Sequence, residues 1–266
     1  MMIRIRPSIV LFGDSITQLG FSAGQSQSGW VSLLSNAYTR RADVLNRGFS
    51  GYNTRQAIDI LPSIFGEDGE GGAIFGGPPL MVTVFFGAND ASLPGGKKQH
   101  VPIDQYEENI RNIVKSIRIK IKPKDKSKPT APIILITPPP IDKIAWDKYC
   151  LENFGDLSPR TNEAAKSYGD RVKLVASELD CHVVDAFSLL GGDDEGEAES
   201  YGKHLEDGLH LSASGNKSLF EGLMDVVTRE LPDLAPMEDG EGKYGTSGLP
   251  LEGELWKVLC EESKDL

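Results

Sequence analysis

Three residues that lie far apart in the chain have the types needed to activate a hydroxyl for nucleophilic attack. Ser15 follows the apolar run Ile9–Phe12, and Asp207 and His210 lie near the other end of the sequence. A serine attacks an ester carbonyl only when a base takes its proton and an acid orients that base. An imidazole can accept and return a proton near neutral pH. Asp207 is three residues before His210, a spacing at which two side chains meet on one turn of backbone.

The same chemistry needs donors for the negative charge that develops on the carbonyl oxygen. Gly51 offers a backbone N–H that no side chain obstructs, and Asn89 offers a side-chain amide. Ser15 adds its own backbone N–H. These three residues are therefore the predicted oxyanion hole, with Ser15, Asp207 and His210 as the predicted catalytic residues.

Five apolar runs are expected to form the buried strands that position these residues. They are Ser8–Phe12, Val44–Asn46, Leu80–Phe86, Ile133–Thr137 and His182–Ala186. Segments with helical spacing lie between them. Strands that alternate with helices predict a parallel sheet covered on both faces. Active sites of such folds lie beyond the carboxyl ends of the strands, and each candidate residue follows a predicted strand there.

Three helices are the clearest of these segments. One is predicted to begin with Asp104 as its N-cap, with Glu107 three residues later. A second is expected over about Thr161–Leu179, and the last core helix is expected to begin near Ser212.

The turn that carries Ser15 differs from the nucleophile elbow of α/β-hydrolases. That elbow has the pattern G-x-S-x-G, and here Thr17 stands in place of the second glycine. The order Ser, Asp, His is nevertheless the same in both. The nucleophile is therefore expected on a different turn.

The acidity of the chain limits its partners. The 266 residues carry a formal net charge of -11, and the sequence pI is about 4.9. Such a surface repels phosphate backbones and anionic lipid. No apolar run reaches the roughly 18 residues that a membrane helix needs. We therefore expect no nucleic-acid partner and no stable membrane insertion.

The predicted location is cytoplasmic. The N-terminus leads directly into the first predicted strand without the separate apolar region of a secretory signal. Three scattered cysteines, Cys150, Cys181 and Cys260, lack metal-site spacing and are interpreted as reduced thiols.

The four groups of residues resemble the motif blocks of the SGNH, or GDSL-type, hydrolases and occur in that family's order. They are Gly-Asp-Ser at 13–15, Gly51, Gly-x-Asn-Asp at 87–90 and Asp-x-x-His at 207–210. One block alone is weak, but four in order are specific. The resemblance covers roughly residues 8–228. It implies a flavodoxin-like three-layer α/β/α sandwich with a five-stranded parallel sheet.

The resemblance narrows to the isoamyl acetate-hydrolysing esterase group. The segments that carry it are 47–54, 85–90, Leu93-Pro94-Gly95 and Gln99-His100-Val101-Pro102. It implies metal-free hydrolysis of small-molecule esters with small acyl groups, without a cofactor. It assigns Ser15 as nucleophile, Asp207 and His210 as its partners, and Gly51 and Asn89 as oxyanion donors. The family's usual leucine after the serine is Ile16 here, which affects no catalytic group.

Domain organisation follows from the extent of the resemblance. Residues 1–228 are predicted to form the SGNH hydrolase domain. Residues 229–266 are predicted to be an acidic C-terminal extension that packs on the core or on a partner. Its segment with Leu251, Leu255, Trp256 and Leu259 makes a homo-oligomer possible. The acidic stretch Gly191–Gly202 and the Gly-rich stretch Gly66–Gly77 are interpreted as loops.

Two other functional classes are weighed against the esterase. A metal-dependent phosphoesterase would use Asp14, Asn89, Asp90, Asp207 and His210. Two-metal sites usually need more histidines and an Asp-x-His near the first strand, which the sequence lacks. A binding protein that has lost catalysis is the other alternative. Each residue also has a structural interpretation, such as a helix cap for Ser15 or a loop anchor for Asp90, but their joint occurrence favours catalysis.

Overall fold

The computed structural model describes residues 6–21, 28–68, 70, 72–95, 99–193 and 201–236. The strands are β1 (Ser8–Gly13), β2 (Asp43–Gly48), β3 (Met81–Phe85), β4 (Ile133–Ile136) and β5 (His182–Val184). The α-helices are α1 (Ser15–Gln18), α2 (Trp30–Ala37), α3 (Thr54–Phe65), α4 (Ile103–Ile121), α5 (Lys143–Phe154), α6 (Asn162–Glu178), α7 (Ala186–Leu189) and α8 (Ala213–Glu230).

The strands form one parallel sheet in the order β2-β1-β3-β4-β5. Gly13, the last residue of β1, is in register with Gly48 of β2 and Phe85 of β3. The three strands therefore end at the same level, and the loops that follow them meet at one edge of the sheet. The predicted five-stranded parallel sheet is confirmed.

The core consists of two apolar layers, one on each face of the sheet. Successive side chains of β1 point to opposite faces. Ile9 and Leu11 pack in one layer with residues of α2 and α8, while Val10 and Phe12 pack in the other with residues of α3, α4 and α6. All four side chains are completely buried. The arrangement is the predicted three-layer α/β/α sandwich.

Two predicted helix starts are confirmed and one is wrong. Thr161 caps α6 and Ser212 caps α8, each through its side-chain oxygen. The helix α4, in contrast, begins at Ile103 rather than after an Asp104 cap. The carbonyl of Pro102 already accepts the Tyr106 N–H at 2.9 Å. Asp104 therefore lies in the first turn, where its charge favours the positive end of the helix.

Packing continues past residue 228, where the sequence suggests that the domain ends. Helix α8 runs to Glu230, and a 3₁₀ turn follows at Pro232–Leu234. The Tyr38 hydroxyl donates to the Leu234 carbonyl at 2.9 Å, and Ala235 is completely buried. The division at residue 228 stays a prediction.

Some sequence predictions fall on residues that lie outside the described ranges. They include the apolar segment around Trp256, with its possible role in a homo-oligomer, and positions 194–200 of the acidic loop. The Gly-rich stretch 66–77 is described in part and contains a 3₁₀ turn at Ala73–Phe75. Among the described helices, none has the length and apolar character required to cross a membrane.

Candidate active site

Ser15 lies at the tight junction between β1 and α1. The strand ends at Gly13, and Asp14 caps the helix by accepting the Ile16 N–H on Oδ1 at 2.9 Å. Ser15 is therefore the first helical residue and is almost completely buried. The backbone N–H of a first helical residue has no partner within its helix. The junction thus presents both the hydroxyl and the N–H of Ser15 beyond the end of the sheet.

His210 connects Ser15 to Asp207. Its Nε2 lies 2.9 Å from Ser15 Oγ, and its Nδ1 lies 2.6 Å from Asp207 Oδ2. Asp207 Oδ1 also accepts the backbone N–H groups of Leu209 at 3.0 Å and His210 at 2.8 Å. The carboxylate therefore fixes both the imidazole ring and the turn that carries it.

The protonation state of Asp207 follows from its surroundings. Partial burial raises the pKa of the carboxyl group. The hydrogen bonds from the ring and backbone of His210 and from the Leu209 backbone have the larger combined effect and hold the pKa below its ordinary value. Asp207 is consequently ionised at neutral pH. It orients His210 with a proton on Nδ1 and the free electron pair of Nε2 directed at Ser15.

The close packing of this turn against α5 requires Gly208. Its backbone has a φ of +93°, in the left-handed region, and a Cβ there would lie 2.4 Å from the Asp142 carbonyl oxygen and the Trp146 nitrogen. The Gly208 carbonyl accepts the Asp142 N–H at 2.9 Å. Sequence reasoning did not single out Gly208, although an Asp-Gly pair before a histidine is a recognisable turn signal.

The two other predicted oxyanion donors lie beside Ser15. Gly51 adopts a φ of +82° and lines the same cavity as Ser15 and His210. Asn89, which is buried, lines it as well and donates from Nδ2 to the Tyr52 carbonyl at 2.8 Å. A side-chain amide nitrogen carries two hydrogens, so the second hydrogen of Asn89 Nδ2 remains for a ligand.

These residues enclose a small cavity of about 170 Å³. Its lining combines polar and apolar groups: Ser15, Ser50, Gly51, Asn89, Gln99, Trp146, Phe154, Ser158, Arg160, Leu209 and His210. The Trp146 ring meets the His210 ring edge-on, with 6.1 Å between the ring centres. Pockets for drug-sized ligands measure roughly 300–1,000 Å³. The cavity thus suits a small group.

Two buried carboxyl groups support the site from within. Burial raises the pKa of Asp14 to about 6 and the pKa of Asp90 to about 7. Asp90 Oδ1 accepts the backbone N–H and the hydroxyl of Thr54, at 2.9 and 2.5 Å. Asp90 therefore ties the Asn89 loop to the start of α3, which agrees with its interpretation as a loop anchor.

The residues required by the metal alternative do not form a common ligand set. Asp207 and His210 are bonded to each other, whereas Asp14 and Asp90 bind backbone N–H groups of α1 and α3. In the part of the chain that the structure describes, no three His, Cys, Asp or Glu side chains converge as metal ligands would.

Sequence reasoning missed Arg160, the arginine directly before the α6 cap. The side chain is buried, donates to the Asn89 and Gln99 side chains, and lies over Trp146. Gln99 lies in one of the segments that carry the resemblance, which assigns it no role. A lone arginine in a loop carries no local signal that it is buried, because arginine is mostly exposed.

Comparisons with known proteins agree with this architecture. Residues 11–217 match the GDSL-like Lipase/Acylhydrolase family. "Isoamyl acetate-hydrolyzing esterase 1 homolog" from Mus musculus is 40% identical over 233 residues, which cover 86% of this chain and 84% of the mouse protein. The Homo sapiens protein of the same name is 34% identical over 261 residues, with coverages of 98% and 91%.

Solved structures show the same fold. A lipase/acylhydrolase from Enterococcus faecalis superimposes with a TM-score of 0.58 at 24% identity, covering 88% of this chain and 100% of the other. Axe2, an acetylxylan esterase from Geobacillus stearothermophilus, gives a TM-score of 0.58 at 21% identity, with coverages of 85% and 96%.

Proposed function

The chain belongs to the GDSL-like lipase/acylhydrolase family, and on that premise we propose that it is a metal-free serine esterase for small-molecule carboxylic esters with small acyl groups. Hydrolysis would proceed through an acyl-enzyme. The observation that carries the proposal is the hydrogen-bonded series from Ser15 to His210 to Asp207, which opens on the cavity with distances of 2.9 and 2.6 Å.

In the first half of the reaction, Ser15 Oγ attacks the ester carbonyl carbon while His210 Nε2 takes the hydroxyl proton. The new C–O bond converts the carbonyl oxygen into an oxyanion. Collapse of this intermediate breaks the bond to the alcohol, which leaves with the proton from His210. Asp207 stays ionised throughout and stabilises the imidazolium that forms between these two proton transfers.

In the second half, a water molecule replaces the alcohol. The oxygen of this water attacks the acyl carbon while His210 takes one of the water protons, and a second oxyanion forms. Its collapse returns the proton to Ser15 and releases the carboxylic acid. The backbone N–H groups of Ser15 and Gly51 and the amide of Asn89 are the proposed donors to both oxyanions.

The size of the cavity supports the choice of small acyl groups. Its volume of about 170 Å³ lies below the roughly 300–1,000 Å³ of pockets for drug-sized ligands, which favours a small acyl group. The names of the relatives point the same way, because the mouse protein is named for isoamyl acetate and the bacterial Axe2 for acetylxylan. An acetate-type ester is therefore the first substrate to test.

The phosphoesterase alternative receives no comparable support. Asp14 and Asp90 are completely buried, and burial raises the pKa of each carboxyl group, which disfavours the charged form that a cation would need. An inactive binding protein would have no need for an imidazole placed between a serine and an ionised aspartate.

The test is hydrolysis of p-nitrophenyl esters of increasing acyl length in the presence of EDTA. The wild type is compared with Ser15→Ala and with Ser127→Ala, which removes a serine from an exposed turn outside the lining of the cavity. We expect the wild type and Ser127→Ala to cleave the acetate ester equally well and Ser15→Ala to be inactive.

Other outcomes separate the alternatives. Cleavage of p-nitrophenyl phosphate that EDTA abolishes and Mn²⁺ or Zn²⁺ restores, without cleavage of the carboxylic esters, would favour the phosphoesterase. Equal activity in the wild type and Ser15→Ala would refute the serine mechanism. No cleavage of any ester, together with no labelling by a serine-directed phosphonate, would favour the binding protein.

A further inference from the structure

Arg160 occupies an unusual position for a charged side chain. It precedes α6, and only 3% of its surface is exposed. The guanidinium donates from Nη1 to the Ala88 carbonyl and from Nη2 to Asn89 Oδ1 and Gln99 Oε1, both at 3.2 Å. It also lies 5.4 Å from the centre of the Trp146 ring, within cation–π distance.

The charge of this side chain is retained without a directly paired carboxylate. Burial lowers the pKa of Arg160 to about 10, which still leaves it protonated at neutral pH. Among the described residues its hydrogen-bond acceptors are uncharged, and no Asp or Glu forms an ion pair with it. Asp14, Asp90 and Asp207 favour its charged form electrostatically, without a hydrogen bond to it. Burying a charge that lacks a hydrogen-bonded counterion is costly. A fold that needed only packing here would be better served by an apolar side chain.

A single nitrogen of Arg160 donates to two side chains: that of Asn89, which is itself a proposed oxyanion donor, and that of Gln99, which contacts the other donor, Gly51. Nη2 carries two hydrogens, one for Asn89 Oδ1 and one for Gln99 Oε1. Gln99 in turn donates from Nε2 to the Gly51 carbonyl at 3.1 Å. Asn89 and Gly51, which come from different loops, are thus connected through one guanidinium.

The contact with Asn89 also fixes which way its amide faces. Arg160 is a donor and therefore needs the amide oxygen of Asn89 as its acceptor. The Tyr52 carbonyl is an acceptor and needs the amide nitrogen of Asn89 as its donor. A flipped amide would place NH₂ against the guanidinium and oxygen against a carbonyl. The second N–H of Asn89 Nδ2 is therefore left to the cavity, and the adjacent cation increases its strength as a donor.

We propose that Arg160 is a positioning residue of the oxyanion hole, which orients and polarises Asn89 directly and holds Gly51 through Gln99. This inference rests on the proposed function, in which Asn89 and Gly51 stabilise the oxyanion. A fixed cation of this kind acts where charge develops and requires no reorganisation during the reaction. Its effect should therefore appear in kcat rather than in KM.

The primary test compares Arg160→Met with the wild type, using p-nitrophenyl acetate. Methionine keeps much of the length of the side chain but removes the charge and all donors. We expect kcat to fall about 10- to 100-fold, less than loss of a direct oxyanion donor, with KM changed by less than about threefold. Arg160→Lys should recover only part of the loss, because one ammonium cannot bridge three separated acceptors as a planar guanidinium does.

Arg118→Met is the matched control for these variants. Arg118 is a half-buried arginine on α4 that also donates to a backbone carbonyl, that of Asp180, at 2.9 Å. It lies outside the lining of the cavity. Its replacement should leave kcat unchanged.

A double-mutant cycle distinguishes positioning from general structural support. If Arg160 acts through Asn89 and Gln99, adding Arg160→Met to Asn89→Ala should lower kcat only by the about three- to tenfold expected from the Gln99–Gly51 connection, because the amide that Arg160 positions directly is already gone. If instead the double variant loses the full product of the two single effects, the proposal is overturned.

Gln99→Leu keeps the proposal testable should Arg160→Met fail to fold. Gln99 is only half-buried, and its loss releases the Gly51 carbonyl without leaving a buried cavity. We expect kcat to fall about three- to tenfold at unchanged KM. An unchanged kcat in Gln99→Leu would contradict the connection to Gly51.

The proposed function and the proposed role of Arg160 can fail separately. If Asn89→Ala and Ser15→Ala retain wild-type activity, the proposed function itself is wrong. If those variants lose activity while Arg160→Met and Gln99→Leu keep the wild-type kcat, the esterase stands and only the role of Arg160 is rejected.

Discussion

Asp207 holds His210 at two points, the ring and the backbone of the same residue. Oδ2 lies 2.6 Å from Nδ1, and Oδ1 accepts the backbone N–H at 2.8 Å. The acid and the base therefore share one turn, so their relative geometry does not depend on how distant parts of the chain pack. Only the approach of Ser15, 195 positions earlier in the sequence, relies on the fold as a whole.

Replacing Asp207 with asparagine should abolish most of the activity without disrupting the turn. The asparagine Oδ1 can still accept the backbone N–H groups, but its NH₂ group now faces Nδ1 and forces the imidazole proton onto Nε2. Nε2 then cannot take the proton of Ser15. The corresponding change in a serine protease triad lowers kcat about 10⁴-fold, and we expect a loss of roughly 10³- to 10⁴-fold here.

The measurement is kcat for p-nitrophenyl acetate at pH 7.5, with circular dichroism to verify folding. Asp125→Asn, in the exposed turn with Ser127, serves as the matched control. A folded Asp207→Asn variant with more than a tenth of the wild-type kcat would show that His210 does not depend on this carboxylate.

Removing the amide of Asn89 should leave a slow but measurable enzyme. Loss of one oxyanion donor typically lowers turnover by roughly 10²- to 10³-fold, and Asn89→Ala should fall in this range with little change in KM. Asn112→Ala, an exposed asparagine on α4, is the control. If KM rises by this factor while kcat stays constant, Asn89 stabilises the bound ester in its ground state and not the oxyanion.

The pH dependence of stability should reveal the buried carboxyl group of Asp90. Burial raises its pKa from 3.8 to about 7, so between pH 4 and 7 the folded state keeps a proton that the unfolded chain has released. The contribution of Asp90 to stability must therefore fall as pH rises through this window and level off above it. At about 1.4 kcal/mol per pKa unit, the full effect is on the order of 4 kcal/mol.

Asp90→Asn should remove this contribution and leave that of Asp14, whose pKa burial raises to about 6. Asparagine carries no charge at any pH in the window and still offers an oxygen to Thr54. We expect the free energy of unfolding of the variant, relative to the wild type, to increase between pH 5 and 8 in urea titrations. For Asp104→Asn, a substitution at an exposed position, the curve of unfolding free energy against pH should run parallel to that of the wild type. Parallel curves for Asp90→Asn as well would mean that Asp90 is already ionised in the folded protein at pH 5.

The sequence alone was sufficient for the strands and for the turn that carries the acid and the base, where the determining interactions are local. Apolar runs with intervening helical spacing predicted all five strands within about two residues, and β5 ends early only because Asp185 caps the short helix α7. The spacing of Asp207 and His210 likewise placed two site residues on one turn.

The sequence was insufficient for the contacts that surround the predicted site residues, where side chains from distant segments meet. Arg160 contacts Asn89 and Gln99 across 71 and 61 positions, and nothing in a loop before α6 indicates that its arginine is buried. The same holds for Trp146, whose contacts with Arg160 and His210 arise only when α5 packs over the sheet edge. Such contacts depend on the tertiary arrangement of helices, which periodicity does not specify.

Phe154 at the cavity should limit the length of the acyl or alcohol chain. Its side chain lines the cavity, yet 49% of its surface is exposed, so its removal widens the opening without damaging the core. A methylene that gains apolar contact contributes about 0.8 kcal/mol, or roughly fourfold in rate. Phe154→Ala should therefore raise the rate of hydrolysis of p-nitrophenyl octanoate, relative to that of p-nitrophenyl acetate, by about fourfold or more.

Leu151→Ala provides the comparison that isolates this effect. Leu151 lies on the same helix, is 55% exposed and has no part in the cavity lining. Both variants lose a large exposed apolar side chain, but only Phe154→Ala changes the opening, so only its octanoate-to-acetate ratio should rise. An equal rise of the octanoate-to-acetate ratio in both variants would attribute the chain-length preference to the apolar surface of α5. No rise in either variant would mean that residues deeper in the cavity, and not Phe154, limit the chain length.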